Sequence, residues 1–231
     1  GDEMNIHVPQ TYQTRAEIAE LMMVEKNIVS SQSNKPIIGI IQDALLGSFK
    51  ITNKDVFFTK SEIMNITLKL KVKRYTLPKP TILKPNPLWT GKQIFDLILP
   101  NINFHCYNQL HNKDTDTKYF SKNDSEVIVR NGKLLSGQLC KKSIGSSEGG
   151  IIHITFLDHG CEEANRFISE TQYLVNAWLQ TKGFSIGACD IFSNQEANNK
   201  VKTIIENAEE KVNQIIKIGE RNNLKPSSFE S

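Results

Sequence analysis

No apolar run in this chain of 231 residues approaches the roughly 20 residues that a membrane-spanning helix needs. The opening Gly1-Asp2-Glu3 has neither the basic nor the apolar region of a secretory leader. A cytosolic or nuclear home with no membrane partner is the expectation. Cysteine is scarce: Cys106, Cys140, Cys161 and Cys189 stand far apart, with no CxxC or CxxH pair. A structural zinc knuckle is therefore not expected, and reduced thiols are. His105 adjoins Cys106, but His105 and His111 lack helical spacing, so no metal site is read there. Gly91-Lys92 lacks the earlier glycine of a phosphate loop and no strand signal precedes it. With 39% hydrophobic and 23% charged residues, what remains is a globular composition, long enough for one or two domains with buried cores.

A large excess of either charge is also lacking, at a net +3, but the charge is unevenly placed. Between residues 60 and 92, Lys60, Lys69, Lys71, Lys73, Arg74, Lys79, Lys84 and Lys92 face only Glu62. Such a stretch can neutralise phosphates or form a solvated face.

The fold class expected is α+β: mixed helices with a small antiparallel β-hairpin or sheet region, followed by two long amphipathic helices. Thr14 and Glu17 have capping-box spacing and predict a helix over residues 15–23. A polar turn over 27–36 leads to an apolar run, 37–47, whose closing Gly47 predicts a buried helix that stops there. Ser61 is the candidate cap for a helix over 63–70. Pro78, Pro80, Pro85 and Pro87 mark an extended connector, Trp89 is a core candidate, and Thr90 caps a short helix through Leu99. Residues 101–125 read as an irregular polar insertion. Residues 126–137 form two β runs around Asn131-Gly132, the favoured type I′ hairpin turn.

Next comes the Gly/Ser-rich stretch 140–150, with Lys141 and Lys142 as point charges at its entrance; on composition alone it is a flexible linker. Periodicity leaves residues 151–156 open between strand and helix. Ala164, Phe167, Ile168, Thr171, Leu174, Val175, Trp178 and Leu179 then specify a long helix stopped by Gly183. Asp190 is read as a cap or turn aspartate rather than a metal ligand. A second long helix over 198–219 carries Val201, Ile204, Ile205, Ala208, Val212, Ile215 and Ile216 on one stripe.

Several stretches carry a family likeness in one order. Gly1 to Gln10 resembles the end of an Asn-Ala-Asp-Phe-Asp-Gly-Asp loop followed by Glu-Met-Asn-x-His-x-Pro-Gln. Ser30-x-Gln32-Ser33-Asn34-Lys35-Pro36 with Gly39-Ile40-x-Gln42-Asp43 is similar to Ser-Pro-Gln-Ser-Asn-Lys-Pro and Gly-Ile-Val-Gln-Asp, with Ser31 in place of the proline. Residues 80–94 resemble Pro-Ala-Ile-Ile-Lys-Pro-Lys-Pro-Leu-Trp-Ser-Gly-Lys-Gln. Residues 141–150 resemble Lys-Lys-Thr-Val-Gly-Ser-Ser-Asn-Gly-Gly, with Glu148 where the asparagine stands. Gly183-Phe184-Ser185-x-Gly187-x-x-Asp190 closes the series. These are motifs of the largest subunit of multisubunit DNA-dependent RNA polymerases, of the RNA polymerase II type found in eukaryotes or large DNA viruses. The likeness is weakest over 101–125.

The resemblance implies a fragment of a catalytic subunit that, in the whole enzyme, carries out DNA-templated RNA synthesis, a nucleotidyl transfer dependent on Mg²⁺. It implies an organisation of 1–25 as the tail of the active-site domain, 26–190 as the pore domain and 191–231 as the start of the funnel. Asp2 would be the catalytic metal ligand, the third aspartate of the family's loop. Lys141, Lys142 and Lys35 would contact RNA. Partners implied are the DNA template, the RNA transcript, nucleoside triphosphates, the second-largest and other polymerase subunits, and a transcript-cleavage factor at the pore. The location implied is the nucleus, or host cytoplasm and virion for a viral enzyme. The isolated piece is expected to be inactive. The alternative is a non-catalytic nucleic-acid-binding or scaffold module of a transcription complex.

Overall fold

The computed structural model describes residues 3–71, 76–109 and 124–220. The chain divides into two units, Gly1–Gly183 and Phe184–Ser231. The first is a helical body carrying small antiparallel sheets, the α+β class expected.

Its first helix, α1 (Tyr12–Glu17), starts three residues before the expected position because Thr11, not Thr14, caps it: Thr14 N donates to Thr11 Oγ1 at 3.1 Å. The turn then widens into a π-helical stretch, Ile18–Met22, followed by a 3₁₀ turn, Val24–Asn27. The polar turn at 27–36 is a miniature hairpin, β1 (Val29–Ser30) paired with β2 (Lys35–Pro36).

Gly47 does not end a helix. Residues 37–41 are not helical, and α2 runs Gln42–Ile51 with Gly47 buried in its interior. Two contacts explain the shift. Ile40 N donates to Ile144 O at 3.0 Å, drawing the preceding backbone out of any helix. A Cβ on Gly47 would stand 2.2 Å from Val175 Cγ1, so the glycine marks a close crossing of two helices.

Next come β3 (Phe57–Phe58) and α3 (Lys60–Thr67). The cap of α3 is Thr59 rather than Ser61, because Thr59 N donates to Glu62 Oε2 at 2.8 Å, which completes a capping box with the Thr59 side chain. Past the proline connector, β4 (Trp89–Thr90) pairs with β3. Trp89 is buried and its Nε1 donates to Pro78 O at 2.7 Å, as core placement of an indole requires. Thr90 caps α4 (Gly91–Phe95) in a box with Gln93; the α-helix is shorter than expected and passes into turns by Leu99.

The stretch 101–125 is not wholly irregular. It contains β5 (Phe104–Tyr107), the outer strand of a β5-β6-β7 sheet with β6 (Glu126–Arg130) and β7 (Lys133–Ser136). Its periodicity is weak in the sequence because the aromatic Tyr107 is exposed with His105, while Phe104 is buried and Cys106 half-buried. Residues 110–123 lie outside the described residues. The β6–β7 turn has φ of 50° at Asn131 and 71° at Gly132, as a type I′ turn demands.

Three further helices complete this unit: α5 (Lys141–Ile144), α6 (Ile151–His159) and α7 (Cys161–Lys182). The undecided run at 151–156 is thus helical. α2 and α6 pack on α7, whose Phe167, Leu174 and Val175 are fully buried with Ile51, Ile63 and Phe95 in one core. Gly183, at φ 65°, ends α7 as expected.

The second unit has α8 (Ala188–Ile191) and α9 (Gln195–Glu220). Asp190 Oδ2 accepts from Gly187 N at 2.8 Å, the capping role read for it. Asn194 Oδ1 accepts from Ala197 N at 2.8 Å and caps α9.

Candidate functional site

The stretch 140–150 is built, not slack. Ser143 Oγ accepts from Cys140 N and donates to Cys140 O, both at 2.9 Å, which locks the entry to α5. Ser143 and Ile144 are buried, and Gly145 N returns to Lys141 O at 2.9 Å. The linker reading from composition is therefore wrong: glycine here serves close packing. A Cβ on Gly39 would lie 2.5 Å from Ser146 N, so the 37–41 segment presses backbone to backbone against 145–146.

That crossing brings two distant parts of the sequence together. Lys141, exposed at the start of α5, and Gln42, exposed at the start of α2, line one cavity of about 430 Å³. Leu45, Leu46 and Phe49 give it apolar surface, and Asn108 adds a further amide. Gln42 holds φ at 50°, a left-handed conformation unusual for a residue with a side chain. Such an arrangement can stack a planar apolar or aromatic group against Phe49 and the leucines while an ammonium meets a phosphate.

Lys142 follows Lys141 and is exposed. Its charge reaches Cys106, whose thiol burial pushes up to about 11; neighbouring Cys140 adds to that rise and Lys142 opposes it. Cys106 is accordingly a neutral thiol at physiological pH and not a nucleophile. Lys35 lies on β2 opposite Ser30, exposed, and does not line the cavity. Asp2 lies outside the described residues; Glu3 beside it is exposed. Among the described residues no three His, Cys, Asp or Glu side chains gather to hold a metal ion. The sequence motifs give Gln42 no role; the crossing with 145–146 is what places it in one cavity with Lys141.

The basic stretch 60–92 does not present its charges as one free face. Lys92 is half-buried and ion-paired with Asp124, and Lys71 Nζ sits 5.0 Å from the centre of the Tyr173 ring. Lys73 and Arg74 lie outside the described residues. No described helix is long and apolar enough to cross a membrane.

Comparison with known proteins supplies the frame. Residues 27–191 match the family model described as RNA polymerase Rpb1, domain 3, and residues 1–24 match RNA polymerase Rpb1, domain 2. Two Trypanosoma brucei brucei proteins, named DNA-directed RNA polymerase II subunits RPB1-A and RPB1-B, are each 42% identical over 205 residues, 89% of this chain. The chain spans 11% of the length of each of these relatives.

Proposed function

This chain belongs to the Rpb1 family, the largest subunits of RNA polymerases of the polymerase II type, and we propose that it serves DNA-templated RNA synthesis as the stretch from the end of the active-site loop through the pore and into the funnel. On this reading residues 1–25 close the active-site domain, 26–190 form the pore and 191–231 begin the funnel. The observation that carries it is the match over 27–191, within which Lys141 and Gln42 line one cavity and Lys142 stands exposed beside Lys141.

Asp2 is proposed as one ligand of a catalytic Mg²⁺, an ion that offsets the charge developing on phosphate oxygens during nucleotidyl transfer. In the loop that Gly1 to Gln10 resembles, three aspartates hold that ion, and Asp2 matches the third of them. Lys141 and Lys142, with Gln42 beside Lys141, are proposed to hold an RNA 3′ end displaced from the active site: the lysines meet phosphates and the cavity wall receives a base. Lys35, which stands apart from that cavity, is proposed as a separate backbone contact. The proposed partners are DNA, RNA, nucleoside triphosphates, the second-largest subunit, the other subunits and a transcript-cleavage factor. The proposed location is the nucleus, or host cytoplasm and virion for a viral enzyme.

The test uses the reconstituted polymerase carrying Lys141→Ala/Lys142→Ala. Forward extension on an undamaged template should stay near the reference rate, while recovery of backtracked complexes should change severalfold. Unchanged recovery would remove the lysines from the RNA path. In the same enzyme Asp2→Ala should abolish extension while leaving assembly intact; extension that survives across a Mg²⁺ titration would overturn the assignment of the opening loop.

A further inference from the structure

A second cleft, of about 490 Å³, lies where α4 faces the β6–β7 turn. Asp96, Asn101, Asn131, Lys133 and Thr76 line it. Its wall at the turn is fixed by backbone: Asn131 N donates to Asn103 Oδ1 at 3.0 Å and Gly132 N to Ile102 O at 3.1 Å. A Cβ on Gly132 would stand 2.8 Å from Pro100 O, so the turn is seated against the 100–102 segment. His159 Nε2 lies 3.0 Å from the Asn101 carbonyl oxygen.

Asp96 is the chemical centre of this cleft. Its Oδ1 accepts Leu134 N at 2.7 Å, and among the described residues its Oδ2 has no hydrogen-bond partner. Burial pushes this carboxyl up to about 6, against the lowering pull of the Leu134 N–H and of Lys133. The charged group facing it from β7 is Lys133, which is exposed; Lys92 on α4 is committed to Asp124. The cleft thus offers a poorly solvated acceptor beside the amides of Asn101 and Asn131, with a cation at its edge. A bare anion would be repelled by the carboxylate. A metal ion would find a single carboxylate ligand. An ammonium would use only a point contact, whereas a guanidinium carries five donors in one plane and forks onto a carboxylate that can accept about four hydrogen bonds.

We propose that this cleft receives an arginine side chain from another polypeptide of the assembled enzyme, forked onto Asp96, while an acidic neighbour of that arginine meets Lys133. The inference rests on the reading of this chain as one part of a multisubunit polymerase. The site is a polar anchor of an interface, separate from the cavity at Lys141.

A photo-reactive residue in place of Thr76, an exposed lining position, tests it in the purified whole polymerase. The expected product is an adduct to a polypeptide segment with an arginine within a few residues of the cross-link. Asp96→Asn, which keeps an acceptor for Leu134 N, should cut the yield at least about tenfold. No polypeptide adduct, an adduct to RNA, or an undiminished yield in Asp96→Asn overturns the proposal. RNA extension by the same preparation reports on the broader reading separately: its loss in the Asp96 reference enzyme counts against the polymerase function, and extension retained without an arginine adduct overturns the cleft's role alone.

Discussion

In α7 the apolar positions Phe167, Leu174 and Val175 are fully buried, whereas in α9 the matching stripe of Val201, Ile204, Ile205, Val212, Ile215 and Ile216 is 52–67% exposed. Both helices carry the same spacing of three and four, and both were legible from it. The difference is what the rest of the stretch supplies. α7 has α2, α3 and α6 packed on it; no residue of α9 is buried. Amphipathic periodicity announces a face that can pack, and says nothing about what covers it.

The largest effect expected from this contrast is in the first unit. Phe167→Ala should lower the stability of the chain by about 3–5 kcal/mol, through lost transfer energy and the cavity left behind; urea denaturation measures it. A loss under about 1 kcal/mol would mean that the α7 face is no better packed than that of α9.

Next in size is Gly47→Ala. Its new methyl group meets Val175 and Leu179 side chains, and crowding of that kind costs about 1–3 kcal/mol. Val175→Ala in the same chain should recover part of that loss, so the double variant should be less destabilised than the sum of the two single ones. Simple additivity would show that α2 and α7 separate freely.

A pH effect follows, also confined to the first unit. The Asp96 carboxyl is raised by burial to about 6, so the folded state holds a proton that the unfolded chain releases near pH 4. Stability from this group is therefore fully present below about pH 4 and is lost as pH rises towards 6, levelling beyond; after allowance for solvent screening the change is on the order of 1–2 kcal/mol. Denaturation midpoints across pH 4–7 should show this component in the parent and not in Asp96→Asn.

Smallest of all is Ile204→Ala in α9, expected within about 0.5 kcal/mol in the chain alone. A loss above about 2 kcal/mol in the same denaturation experiment would mean that the stripe is covered after all, and the contrast would collapse.

Where the sequence misled, it did so for identifiable reasons. A glycine after an apolar run looks the same whether it ends a helix or lets another helix approach; Gly183 is the first case and Gly47 the second. Hydroxyl residues crowd both misplaced caps, and the choice of Thr11 over Thr14 and of Thr59 over Ser61 depends on which side chain reaches a free amide. By contrast Asn131-Gly132, Thr90 with Gln93, and Gly183 act through their own backbone or nearest neighbours, and each stood where its local chemistry put it. The same division holds at the candidate site. Lys141 and Lys142 were visible as charges at the mouth of a Gly/Ser stretch. The pairing of Lys141 with Gln42 was not, because it depends on a backbone crossing between segments about a hundred residues apart.

The two edges of the polar insertion are clamped. Asn108 N donates to Ser125 O at 2.8 Å, Asp124 Oδ1 accepts Gly137 N at 2.8 Å, and the other carboxylate oxygen of Asp124 pairs with Lys92. The two ends of the intervening sequence are thereby fastened side by side to the sheet and to α4. One backbone bond and one carboxylate thus act as a buckle, tying the end of β5, the start of β6, the end of β7 and α4 together.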